Sequence, residues 1–131
     1  MDNKGFSFRK RMDGFKYAFH GIGLLCGEHN VWLQGIIGLC VVVAGFLLDI
    51  SAMEWVVVVI LCGSVFAAEA LNTSIEKLAD VVSPEYSEAI KVIKDLSAGG
   101  VLLMAISAAI AGLIVFLPKL IVLFETGMSQ F

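Results

Sequence analysis

Charge is scarce in this chain. Only 16% of its 131 residues are charged, against 59% that are hydrophobic. A soluble domain carries about a quarter charged residues and about half apolar ones. A water-facing surface is therefore excluded over much of the length. Cysteine is also sparse. Cys26, Cys40 and Cys62 are unevenly spaced, which excludes a disulfide framework and a metal-ligand spacing. They read as small apolar packing residues. The chain has no GxxxxGK[ST] loop and no kinase Gly-rich loop, and Gly21, Gly23 and Gly27 do not form a phosphate-binding fingerprint. The first stretch lacks the continuous apolar core of a cleaved signal peptide. Nothing points to a nucleic-acid partner.

What is present is three apolar runs. Residues 31–48 contain one polar side chain, Gln34. Residues 53–68 have Glu54 at the edge and Ser64 inside. Residues 101–117 contain only Ser107. Each approaches the ~20 residues of a helical span. The reading is an all-α membrane protein with three transmembrane helices, at about 31–48, 53–82 and 85–117, and a C-terminal tail, 118–131. Its length allows one domain, 1–131.

Basic residues set the orientation. Lys4, Arg9, Lys10, Arg11 and Lys16 precede the first span, and Lys77, Lys91 and Lys94 lie between the second and third. The turn at 49–54 has none. The N-terminus and the second loop are therefore expected in the cytoplasm. Asp49 and Glu54 read as solvated turn residues. Phe8, Met12, Phe15, Phe19 and Ile22 recur at spacings of three and four within 6–27. That pattern predicts an amphipathic surface helix with its basic groups towards anionic head groups. Ser83 and Pro84 suit the start of the third helix.

The polar residues are concentrated at one end. Glu69, Asn72, Thr73, Glu76 and Asp80 share one helical face. A carboxylate in or near hydrocarbon is costly, so this stripe should face protein or a cavity. The next helix carries Glu88, Lys91, Lys94 and Asp95. A short turn makes the two helices antiparallel, with Lys94 and Asp95 expected level with residues 71–76. Glu28 and Asn30 precede the first span at the same interface. Glu28, Glu69, Asn72, Glu76, Lys94 and Asp95 are thus expected to converge. Oxygen ligands suit Mg²⁺ with phosphates, lysine suits phosphate charge, and a deep carboxylate suits a proton from an alcohol. The same residue types also serve ion and proton pathways, so a small pathway protein remains the alternative. The apolar outer halves of all three spans argue against conduction.

The stretch Glu69-Ala-Leu-Asn72-Thr73-Ser-Ile-Glu76-Lys-Leu-Ala-Asp80 resembles the E-x-x-N-[ST]-[AS]-I-E-x-x-x-D signature of the small prokaryotic diacylglycerol kinase family. Glu85-Tyr86, Lys94-Asp95, the small-residue run at 97–101, the run at 14–21 and Glu28-His-Asn30 resemble it as well. The resemblance extends to about residue 117. It implies a homotrimeric integral-membrane lipid kinase of the bacterial inner membrane. Its active sites would be shared between subunits at the cytoplasmic face, and it would transfer the γ-phosphate of ATP, with Mg²⁺, to a lipid hydroxyl in lipid recycling. By position, the resemblance implies Glu69 as general base and Glu28 and Glu76 as metal ligands. Asn72, Lys94, Asp95, Tyr17 and the turn of Glu85, Tyr86 and Ser87 would lie at the nucleotide. The basic cluster that includes Lys10 would contact phosphate or head group.

The family divides into diacylglycerol and undecaprenol kinases. The run at 15–21 and Glu28-x-Asn30 are more similar to the undecaprenol branch. Gln34 departs from both, since one branch has histidine there and the other glutamate.

Overall fold

The computed structural model describes residues 8–128. Residues 6 and 7 of the expected surface helix, and residues 129–131 of the expected tail, lie outside the described residues. Among the described residues the regular structure is four α-helices: α1 (Phe8–Leu25), α2 (His29–Leu47), α3 (Ala52–Val82) and α4 (Glu88–Met128). The last three are long and apolar enough to cross a membrane. The chain divides into two units, Met1–Leu33 and Gln34–Phe131.

In the first unit, α1 buries no residue. Phe8, Phe15, Phe19 and Ile22 all stand exposed, on the three-and-four spacing that the sequence shows. The chain leaves α1 through a tight turn. The Gly27 N–H donates to the Leu24 carbonyl at 3.1 Å, and the Glu28 N–H to the Leu25 carbonyl at 3.0 Å. A Cβ at Gly27 would lie 3.2 Å from the Leu24 carbonyl oxygen, so glycine suits this approach. The Val31 N–H then donates to the Glu28 carbonyl, which places Glu28 at the entry to α2.

In the second unit, α2 ends in a Schellman-type turn. Asp49 adopts a left-handed conformation with φ 50°, which aspartate tolerates better than most residues. The Ile50 N–H reaches back to the Gly45 carbonyl at 3.1 Å. Ile50 is buried with Val58 and Val115, and Val41, Trp55, Cys62 and Phe116 pack against them. Gly45 is required for this packing. A Cβ there would lie 2.8 Å from the Trp55 ring, which stacks obliquely on Phe46 at 4.8 Å between centroids.

Glu54 is not a loosely solvated turn residue. Ser51 caps α3 by accepting the Glu54 N–H at 3.2 Å, and the Ser51 N–H donates to Glu54 Oε2 at 2.7 Å. Lys119 on α4 pairs with the same carboxylate at 3.3 Å. One acidic side chain therefore both closes the helix start and ties α3 to α4.

Two boundaries differ from the sequence reading. The third span was expected at 85–117, but α4 begins at Glu88. The Ser83 hydroxyl donates to the Glu85 carbonyl at 3.1 Å, which holds 83–85 in a turn. The first helical bond runs from the Lys91 N–H to the Ser87 carbonyl. At the other end, α4 does not stop at Leu117 before a tail. It continues through Pro118 to Met128. Proline removes one N–H from the ladder, which apolar membrane helices tolerate. The residues beyond it, Leu120 to Phe124, are apolar and helix-compatible, and Lys119 is anchored on Glu54.

Candidate active site

The α3 stripe begins where the helix passes from hydrocarbon-like to polar sequence. Glu69 and Asn72 are its two buried polar residues, with 4% and 7% of their surface exposed. They lie three residues apart, on the same face as Glu76 one turn further on. Burial is possible because each has a partner. Glu69 Oε2 accepts from Gln34 Nε2 of α2 at 3.2 Å. Asn72 Nδ2 donates to Glu76 Oε1 at 3.2 Å. Asn72 Oδ1 is buried and has no hydrogen-bond partner. An orphaned buried acceptor of this kind costs about 1–3 kcal/mol.

Lys94 supplies positive charge to the stripe. Its Nζ lies 2.9 Å from Asp80 Oδ1, and the Glu76 carboxylate is near enough to act on it electrostatically. Asp95 turns elsewhere. It pairs with Lys91 at 2.7 Å along α4, exposed on both sides. Lys94 is therefore level with Asp80, not with residues 71–76 as the sequence reading placed it. The physical reason is the wider connection. Because 83–87 is non-helical, the antiparallel register is centred near Ser87 rather than near Pro84.

The structure thus brings Glu69, Asn72, Glu76 and Lys94 onto one face in unit two, and adds Gln34 and Asp80. Asp95 is not part of this set. Glu85 and Tyr86 are exposed on the connecting turn, and Tyr86 Oη donates to Glu88 Oε2 at 3.3 Å. Ser87 is half-buried beside them. Lys10, Tyr17 and Glu28 belong to the first unit. Lys10 and Tyr17 are exposed on α1, and Glu28 is half-buried at the start of α2.

Sequence reasoning passed over two participants. Gln34 carried a signal, as the lone polar side chain in an apolar run, because an amide at membrane depth must find a partner. Asp80 lies on the stripe by periodicity, but a register that sets Lys94 level with residues 71–76 keeps it out of the convergent set, whereas Lys94 in fact pairs with it.

Among the described residues, no group of three or more histidine, cysteine, aspartate or glutamate side chains is assembled that could hold a metal ion. The donor chemistry nevertheless fits Mg²⁺. Glu76 and the orphaned Asn72 Oδ1 are hard oxygen donors. Mg²⁺ commonly uses one or two carboxylates and completes its shell with water and phosphate oxygens.

Gln34, which bonds Glu69, also lines a largely apolar cavity of about 350 Å³. Gln34, Val41, Val58, Phe66, Ala109 and Gly112 contribute to its wall. It is built by α2, α3 and α4, with small residues of α4 leaving the space.

Comparison with known proteins gives a consistent assignment. The sequence profile of the family described as Prokaryotic diacylglycerol kinase matches residues 16–116. An undecaprenol kinase of Bacillus subtilis is 37% identical over 93 residues, covering 71% of this chain and 76% of the relative. A diacylglycerol kinase of Synechocystis sp. is 36% identical over 116 residues, covering 88% of this chain and 63% of the relative. The matched span contains every residue of the polar face, from Gln34 to Lys94, and the chain belongs to the prokaryotic diacylglycerol kinase family, a family of lipid kinases.

Proposed function

We propose that the chain transfers the γ-phosphate of ATP to the hydroxyl of a membrane lipid alcohol, with undecaprenol preferred to diacylglycerol. The observation that carries this reading is the buried carboxylate of Glu69 bonded to Gln34, a residue of the apolar cavity wall, with Glu76, Asp80 and Lys94 further towards the polar end. Seven residues separate Glu69 from Glu76, about 10 Å along the helix. A lipid hydroxyl can therefore meet Glu69 while a nucleotide lies nearer the polar end.

In the reaction, the lipid oxygen forms a bond to the γ-phosphorus and the bond to the β–γ bridging oxygen breaks. ADP leaves, and the hydroxyl proton goes to Glu69. Lys94 offsets phosphate charge, and Asn72 and Glu76 orient the nucleotide end. When bound, Mg²⁺ supplies neutralisation of phosphate charge; Glu76 and Asn72 would hold it, and Glu28 is the further ligand that the family resemblance implies. Glu85, Tyr86, Ser87 and Tyr17 are proposed at the nucleotide, and Lys10 at phosphate or head group.

The preference for undecaprenol rests on the sequence at 15–21 and on the apolar character of the cavity wall. A diacylglycerol would bring two ester carbonyls that need donors. Gln34 is the lone amide, hydroxyl or charged side chain on that wall, and one of its two N–H donors is held by Glu69.

The assembly proposed is a homotrimer in the bacterial inner membrane, with the polar face cytoplasmic and α1 lying on the membrane surface. The exposed aromatic stripe of α1 supports the surface placement. Phosphorylation of undecaprenol and diacylglycerol by the purified protein, offered separately with labelled ATP, tests the reading. Labelled lipid phosphate, formed faster from undecaprenol, is expected. No product from either lipid by folded protein overturns it.

A further inference from the structure

Gln34 is the sole amide, hydroxyl or charged side chain between Asn30 and Asp49 on α2. Its surroundings are the apolar walls of the cavity and the carboxylate of Glu69. Its Nε2 donates to Glu69 Oε2 at 3.2 Å, while its own Oε1 is buried without a partner. A half-satisfied amide in an apolar site lowers stability, and an aliphatic side chain of the same size would avoid that cost. Its presence is therefore explained better by what it does to Glu69 than by packing.

That effect is orientation. Glu69 is 4% exposed, so little solvent is available to set its rotamer. An amide donor fixes a carboxylate without carrying charge and without exchanging a proton with it. The same Gln34 side chain lines the cavity, so it lies between the base and any lipid chain held there.

We propose that Gln34 is a positioning residue, whose side-chain amide holds the Glu69 carboxylate at the edge of the apolar cavity, facing the hydroxyl of a lipid alcohol whose chain occupies it. This rests on the reading of Glu69 as the proton acceptor in a lipid kinase. Gln34 does not itself take the proton. It restricts the carboxylate to the geometry in which the hydroxyl meets it, which raises turnover rather than nucleotide affinity.

The test combines kinetics with infrared spectroscopy of the full chain in lipid bilayers. Gln34→Met keeps length and removes the donor. Gln34→His restores an N–H. A hydrogen bond to a charged group is worth about tenfold or more. Gln34→Met is therefore expected to lower kcat by about tenfold, with the KM for ATP changed by less than about twofold, and Gln34→His to recover most of the loss. In a Glu69→Gln background, Gln34→Met is expected to cost nothing further, because its partner charge is already gone. Unchanged kcat in Gln34→Met, or the same fold-loss in both backgrounds, overturns the proposal.

Infrared difference spectra separate this failure from failure of the kinase reading. Gln34→Met should shift a carboxylate stretch that is absent from the Glu69→Gln protein. A shifted band with no lipid phosphorylation by the unsubstituted chain would sink the kinase reading and the contribution of Gln34 to turnover with it. Normal phosphorylation with no shifted band would sink the positioning role alone.

Discussion

Lys94 Nζ and Asp80 Oδ1 lie 2.9 Å apart across the connection between α3 and α4, and this pair marks the register of the two helices. It places Asp80 opposite Lys94 near the polar end. Four residues back along α3 comes Glu76, and seven further back comes Glu69. The stripe is therefore graded. Charge is compensated and exposed at one end, and buried beside apolar space at the other. A kinase acting on a membrane alcohol needs that gradient, because its two substrates arrive from different media.

Replacing Glu69 by Gln keeps shape and removes the proton acceptor. Turnover is expected to fall by roughly 10²–10⁴, the usual worth of general base catalysis. Nucleotide binding and thermal unfolding should be nearly unchanged. Steady-state kinetics and a nucleotide-binding titration on the same preparation check this. Loss of activity through loss of assembly would make Glu69 structural.

Glu76→Gln and Glu28→Gln each remove one negative oxygen ligand from the proposed metal site. Activity should fall at low Mg²⁺ and recover in part at high Mg²⁺. A Mg²⁺ titration of activity for each variant reads this. Full activity at low Mg²⁺ in both would remove them from the ligand set.

The Lys94–Asp80 pair has side chains 38% and 70% exposed, so as a solvent-screened surface pair it contributes little to stability. Lys94→Met should leave the unfolding midpoint almost unmoved and raise the KM for ATP severalfold. Asp80→Asn should likewise leave the midpoint almost unmoved and raise the KM for ATP by less. If Lys94→Met unfolds the protein without affecting ATP use, lysine is an anchor and not a phosphate contact.

At the opposite end, Gly45→Val would drive a side chain into Trp55, where a Cβ already falls at 2.8 Å. Overpacking of this kind costs about 1–3 kcal/mol. Ser51→Ala should cost about 1 kcal/mol through loss of the α3 cap. Thermal unfolding in detergent measures both, and the residual folded fraction should keep normal turnover. A Gly45→Val protein as stable as the parent would contradict the packing described here.

The three spans were legible because about twenty apolar residues with few charges leave little alternative to a membrane helix. The second, expected at 53–82, is Ala52–Val82. The third was misjudged at both ends for local reasons. Pro84 suggested a helix start, but the Ser83 side chain holds a turn there. At the other end a tail is expected from residue 118, but apolar sequence beyond Pro118 and the Lys119–Glu54 pair carry the helix on to Met128. The polar stripe was legible from 3.6-residue periodicity within α3. The partners of its members were not, because Gln34 and Asp80 are placed by the register between helices, which periodicity within one helix does not contain. Glu54 shows the same limit: its cap lies in the local sequence, but its pairing with Lys119 does not.

If Glu69 accepts the proton of a lipid hydroxyl during phosphoryl transfer, removing its charge must slow the formation of lipid phosphate. The most direct measurement is lipid phosphate formation from labelled ATP by the parent protein and by Glu69→Gln, reconstituted side by side in bilayers that contain undecaprenol. Steady lipid phosphate formation by the parent is expected, with a loss of about a hundredfold or more in the variant and equal nucleotide binding. Equal rates of lipid phosphate formation by the two proteins would contradict proton acceptance by Glu69.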